Sequence, residues 1–203
     1  MKLISILMVI AFVAAGCKSS PDSGATNTES ILISDPSRQA SSVYLTSDKA
    51  NNPMINWSET DKTGSKHFLV SFFDTAAGVF NDVIKIPIEQ NANLHEEGMP
   101  KIACKADGTI IAMYETSTPT ATNKYAGSLR YVQSFDGGVS WTSPANVHAD
   151  TSEGKSRSFA SITRLSSGEV GACWLDASYD EKKGGRPVRF AATNGRNGFS
   201  NEI

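Results

Sequence analysis

Apolar positions fall into short runs of about four to eight residues broken by turn residues, and nothing after residue 17 keeps a helical period. The runs carry β-branched and aromatic residues, and the breaks hold Gly, Asp, Asn and Ser, as expected for strands joined by tight turns. In the middle of the chain, strands are predicted at about Lys101 to Lys105, Thr109 to Glu115, Ser128 to Gln133 and Trp141 to Val147. Between them lie Ala106-Asp107-Gly108, the polar stretch Thr116 to Ala126, and a turn from Ser134 to Ser140.

This four-strand pattern recurs. Met99-Pro100-Lys101-Ile102 aligns with Phe159-Ala160-Ser161-Ile162 at an offset of sixty, which also brings Gly108 onto Gly168, Ala112 onto Ala172 and Tyr114 onto Trp174. An earlier copy runs from Val43 to Pro87, with Trp57 in the place of Tyr114. A repeated four-stranded unit of this length predicts propeller blades, here at about 43–87, 99–147 and 158–203. Closing a ring takes at least about four blades. The third unit ends at Ile203 inside its last strand, so the expected fold is all-β, an incomplete propeller over 41–203.

The turn Ser134-Phe135-Asp136-Gly137-Gly138-Val139-Ser140-Trp141 reads S-x-D-x-G-x-S-W. Asp136 can accept backbone N–H groups, the two glycines permit positive φ, and Trp141 returns apolar surface beneath the turn. It resembles the Asp-box, or BNR repeat, of sialidase-like β-propellers, whose structural positions fall on Ser134, Asp136, Gly138 and Trp141. The runs His95 to Ile110, Arg157-Ser158-Phe159 and Gly168 to Asp176 extend the resemblance to exported bacterial lipoproteins of that type. The resemblance implies about three blades of about six. It also implies an exo-α-sialidase, a glycoside hydrolase in which arginines grip the sialic acid carboxylate, an aspartate serves as acid/base and a glutamate-activated tyrosine is the nucleophile.

Two departures bear on activity. The family's Arg-Ile-Pro is absent, since Arg38 is followed by Gln39-Ala40, and the tyrosine and later arginines belong to blades beyond this chain. The 203 residues are therefore expected to be inactive alone, with missing blades or a partner chain closing the ring. The alternative is a non-catalytic surface lipoprotein that binds glycan or protein through the propeller face.

The amino terminus adds a location. Met1-Lys2, the apolar run Leu3 to Ala15 and Gly16-Cys17 read as a lipoprotein signal over 1–17 in which Cys17 is lipidated, although Ala14 stands where leucine is commoner. Residues 18–40 read as a flexible linker. The protein is expected at the bacterial cell envelope, on the outer membrane's periplasmic or surface face, meeting the membrane through its lipid alone.

Net charge is −2 with 20% charged residues, and no basic run points to nucleic acid. Cys104 and Cys173 read as free thiols in apolar strands. No spacing of His, Cys and carboxylates resembles a metal-ligand set, and no cofactor is expected.

In a four-stranded meander, alternate loops lie at opposite ends. The Asp-box marks one end; the segments Gln90 to Met99, Glu115 to Gly127, His148 to Phe159 and Leu175 to Pro187 reach the other. Asp176 and Glu97 are the candidate catalytic carboxylates there, and Arg157, His95 and Glu115 the candidate groups binding a glycan or sialoglycoconjugate. Arg130 and Arg189 lie in third strands and are expected to face solvent.

Overall fold

A computed structural model describes residues 30–177 and 185–200, so Cys17, the signal 1–17 and the linker up to residue 29 lie outside the described residues. From Ile33 onward the chain forms one compact unit of antiparallel sheets. The first sheet runs β1 (Gln39–Ser47), β2 (Pro53–Thr60), β3 (Lys66–Asp74), with β4 (Val79–Phe80) and β5 (Ile84–Ile86) both pairing β3. The second runs β6 (Lys101–Cys104), β7 (Ile110–Ser117), β8 (Gly127–Ser134), β9 (Ala145–Asn146). The third runs β10 (Arg157–Arg164), β11 (Val170–Asp176), β12 (Val188–Thr193), β13 (Phe199–Ser200).

The sheets stack face to face, and the middle one is covered on both sides. Ile111 and Met113 of β7 pack with Ala160, Ile162 and Trp174 of the third sheet. Ala112 and Tyr114, the alternate residues, pack with Met54, Phe68 and Val70 of the first. Because successive strand residues point to opposite faces, burial on both sides explains why β7 begins Ile-Ile-Ala-Met-Tyr with no polar alternation. β10 alternates between buried and exposed positions, as a strand covered on one side should.

Three sequence expectations need correction. The first strand begins at Gln39, inside the expected linker, where Arg38 is already anchored to the buried carboxylate of Glu59 at 3.2 Å. The fourth strand of the middle sheet has two paired residues rather than the seven from Trp141 to Val147, because Pro144 has no N–H for the ladder. Its neighbours still hold β8, through Thr142 N–H to the Gln133 carbonyl and Val147 N–H to the Leu129 carbonyl. Arg130 does not face solvent freely; its guanidinium donates to Glu89 at 2.8 and 3.2 Å, to Asn146 and to the Pro144 carbonyl.

The Asp-box turn closes as its residues suggest. Ser134 Oγ accepts the Gly138 N–H at 2.7 Å and donates to Asp136 at 2.9 Å, while Ser140 gives Asp136 both its hydroxyl and its backbone N–H. The Trp141 indole donates to the Gly138 carbonyl at 3.1 Å. These bonds, the Ser140 hydroxyl foremost, hold the exposed Asp136 carboxyl down at about 2. Gly137 and Gly138 take φ of 74° and 96°, which only glycine adopts without strain. The β7–β8 register runs from Ile110 opposite Ser134 to Ser117 opposite Gly127, which puts the box at one end of the sheet and Glu115 at the other.

Candidate functional site

At the end remote from the box, a cavity of about 470 Å³ opens between the second and third sheets. Its walls come from the segment before β6, the end of β7, the β7–β8 loop, the start of β10 and the residues after β11. The β7–β8 loop is held against the chain leading into β10: Asn123 donates to the Gly154 carbonyl, Gly127 to that of Lys155, and Ser156 to that of Tyr125. The cavity wall is thus stitched by hydrogen bonds to backbone carbonyls rather than left as a free loop.

His95, Glu97, Glu115 and Arg157, four of the five candidates, line this cavity. Glu115, 8% exposed, is its chemical centre. One carboxylate oxygen accepts the Phe159 N–H at 2.9 Å, and the other lies 3.5 Å from His95 Nε2. His95 Nδ1 in turn accepts the Gly98 N–H at 3.1 Å. Burial pushes the Glu115 carboxyl above the ordinary carboxylate range, against the pull of Phe159 N–H, His95 and Lys101. Gly98 leaves the room for this cluster, since a Cβ there would stand 2.5 Å from Glu115 Oε2 and 2.6 Å from His95 Nε2. Glu97 is exposed at the cavity's edge.

Arg157 is 2% exposed and already matched by two carboxylates, Asp150 at 3.1 Å and Asp176 at 3.6 Å. Asp176 is fully buried behind it, receives the Trp174 indole N–H at 2.8 Å, and does not line the cavity. Its position therefore suits it to holding Arg157 in the wall, and a fully enclosed carboxylate offers no lone pair to a ligand. The first sheet repeats the arrangement. Trp57 donates to Glu59 at 2.8 Å and Arg38 pairs with the same carboxylate. Both first strands carry a bulge with one residue in left-handed conformation, Ser42 and Phe159, each at φ 55°.

The sequence reading missed the cavity's aromatic wall. Phe159 is 51% exposed and Tyr125 72%, and each carries a cation over its ring: Arg186 at 5.5 Å and Lys124 at 4.8 Å. Arg186 also donates to Ser158 Oγ at 2.6 Å. A bulky residue at positive φ costs about 1–3 kcal/mol and persists where its surroundings over-determine it. The signal available in sequence was the repeated Trp-x-acid, Trp57-Ser58-Glu59 and Trp174-Leu175-Asp176, which marks equivalent strand ends and so equivalent bulges.

Solved structures share this architecture. Over 79% of this chain and 48% of its own, an α-L-arabinanase from Penicillium chrysogenum, solved with arabinobiose, superposes with a TM-score of 0.55 at 11% identity. An endo-arabinase from Bacteroides thetaiotaomicron does so at 0.51 and 13% identity, over 83% of this chain and 61% of its own. The three sheets are propeller blades. Both neighbours are β-propeller glycosidases, and this chain spans about half the length of the first. No family profile matches the chain, and no curated protein does. At such identities the likeness establishes the propeller fold alone.

Proposed function

We propose that the chain is part of a glycan-acting, glycosidase-like β-propeller protein and that the cavity between its second and third blades binds the glycan. The observation that carries this reading is the exposed Phe159 ring beside the buried Glu115 carboxylate in one cavity. A sugar ring has an apolar C–H face and a rim of hydroxyls, so an aromatic wall next to a few fixed acceptors suits it. The arabinobiose bound in the Penicillium chrysogenum structure supports the same ligand class.

In a second reading the complete protein is an exo-α-sialidase acting on sialoglycoconjugates. The intact hydrogen bonding of Ser134, Asp136, Gly138 and Trp141 favours it. Glu115, whose carboxyl burial raises, is then the proton donor in place of the candidate carboxylates Asp176 and Glu97. The ion pairs already made by Arg157 weigh against its gripping a substrate carboxylate.

Calorimetric titration of the protein with arabinobiose and with sialyllactose separates these readings. Saturable binding weakened about tenfold in Phe159→Ala is expected, the upper worth of one aromatic contact. Binding indifferent to Phe159, or none to either sugar, sinks the cavity as a glycan site. Release of sialic acid from a chromogenic sialoside, abolished in Glu115→Gln, would decide for the enzyme.

The reading places the protein at a bacterial envelope, held by a lipid on Cys17, on the strength of residues 1–17. Cys17→Ala expressed in a bacterial host is expected to move the protein from the membrane to the soluble fraction. Retention in the membrane fraction would remove Cys17 as the anchor.

A further inference from the structure

We propose that Glu115 is the positioning residue of this cavity, holding the Phe159 ring on its wall through the Phe159 N–H, and that protonation of the Glu115 carboxyl releases it. The use of such a hold rests on the cavity being a glycan site, but its test needs no glycan.

The Gly98 N–H fixes the tautomer of His95. His95 Nδ1 accepts the Gly98 N–H, so the neutral ring carries its proton on Nε2, facing Glu115 Oε2. A proton added at Nδ1 would point into the Gly98 N–H. A proton added at Oε2 would point into Nε2–H. Either way one contact must break, and the space in which the groups could rearrange is the space a Gly98 Cβ would fill. The cluster is therefore satisfied in a single protonation state, with Glu115 ionised and His95 neutral.

Phe159 is coupled to that state. Its N–H bonds Glu115 Oε1 at 2.9 Å, a charge-assisted bond only while the carboxylate is ionised. Its backbone sits at φ 55°, a strained conformation kept by its surroundings. When the carboxyl is neutral the bond weakens and the strain favours release, which turns the ring from the cavity.

The charges around Glu115 set where this occurs. His95 and, at the cavity's edge, Glu97 share the cavity with it from the segment before β6, Lys124 from the β7–β8 loop, Arg157 from the start of β10 and Arg186 from the residues before β12, and Lys101 acts on it from the start of β6. Arg157 is matched by Asp150 and Asp176, so the Phe159 N–H, the His95 Nε2–H and the Lys101 ammonium are what oppose burial. Burial prevails and raises the carboxyl. The hold is thus present above that raised value and lost as pH falls through it, at a pH higher than for an ordinary glutamate.

The test is nuclear magnetic resonance on the labelled protein between about pH 4 and pH 8. The Phe159 and Gly98 amides are expected to titrate together, with the midpoint of the Glu115 side-chain carboxyl carbon. Below that midpoint the Phe159 amide should exchange about five- to tenfold faster, after correction for intrinsic exchange, the difference between a charge-assisted and a neutral hydrogen bond. In Glu115→Gln the Phe159 amide should lose its titration, and Glu115→Asp should restore part of it. A Phe159 amide that stays constant while the Glu115 carboxyl titrates overturns the proposal. So does one that titrates unchanged in Glu115→Gln. The wild-type comparison alone decides the matter if the variants fold poorly.

Discussion

Asp176→Ala is expected to lower the stability of the protein by about 3 kcal/mol, the lower end of the range for breaking a buried ion pair. The carboxylate is fully enclosed, and its loss leaves the Arg157 guanidinium and the Trp174 indole N–H facing an apolar void. Asp150 keeps its hold on Arg157 at 3.1 Å, which is why the cost stays near the lower end. Urea denaturation followed by tryptophan fluorescence measures it. A carboxylate serving the cavity directly would behave in the opposite way, with ligand handling lost and stability kept. An unchanged midpoint would therefore return Asp176 to the role expected from its sequence position. Converting Arg157 to methionine in the same chain should recover part of the loss, because it removes a buried charge left with one partner of two.

Gly127→Ala should be comparably damaging for a different reason. Its Cβ would be driven into the backbone carbonyl oxygen of Thr116, its neighbour across the last rungs of the β7–β8 ladder. Side chains can turn away from such a clash, but this one is between main chains. Gly127 is pinned from the other side as well, by its N–H to the Lys155 carbonyl and its bridge to Ser156. A loss of about 3 kcal/mol, the top of the usual range for overpacking, is expected, along with loss of the cavity. Gly137→Ala is the control: its Cβ meets nothing within 4 Å, so only the left-handed backbone at φ 74° resists, at about 1–2 kcal/mol. Equal stability of the two variants would show that β7 and β8 already part at this end.

How much of this was legible beforehand can be traced through particular residues. Strand β7 was found almost whole, because burial on both faces leaves an unbroken apolar run that a local reading detects. The Asp-box was legible as far as Asp136 accepting backbone N–H and the glycines at positive φ, since its residues bond one another within seven positions of chain; the Ser134 Oγ bonds to Gly138 and Asp136 were not. Strand β9 was overestimated because Trp141 and Val147 both carry strand-like side chains, while the limit is the N–H that Pro144 lacks. The loop geometry that brings His95, Glu97, Glu115 and Arg157 to one cavity followed from the order of strands alone.

What the sequence determined by itself is what local chemistry controls: a repeated four-strand unit, the turns between strands, and which loops share an end. Only the tertiary structure decided which polar side chains are spent on one another. Arg157 and Asp176 stand at the mouth of the same blade and read as a ligand-binding and a catalytic group. Folding encloses both, and burial of a charge is tolerated only by pairing it. The same packing turns Phe159 outward through a bulge whose strained backbone Glu115 holds from the neighbouring blade. That contact joins residues far apart in the chain, so no local pattern could encode it.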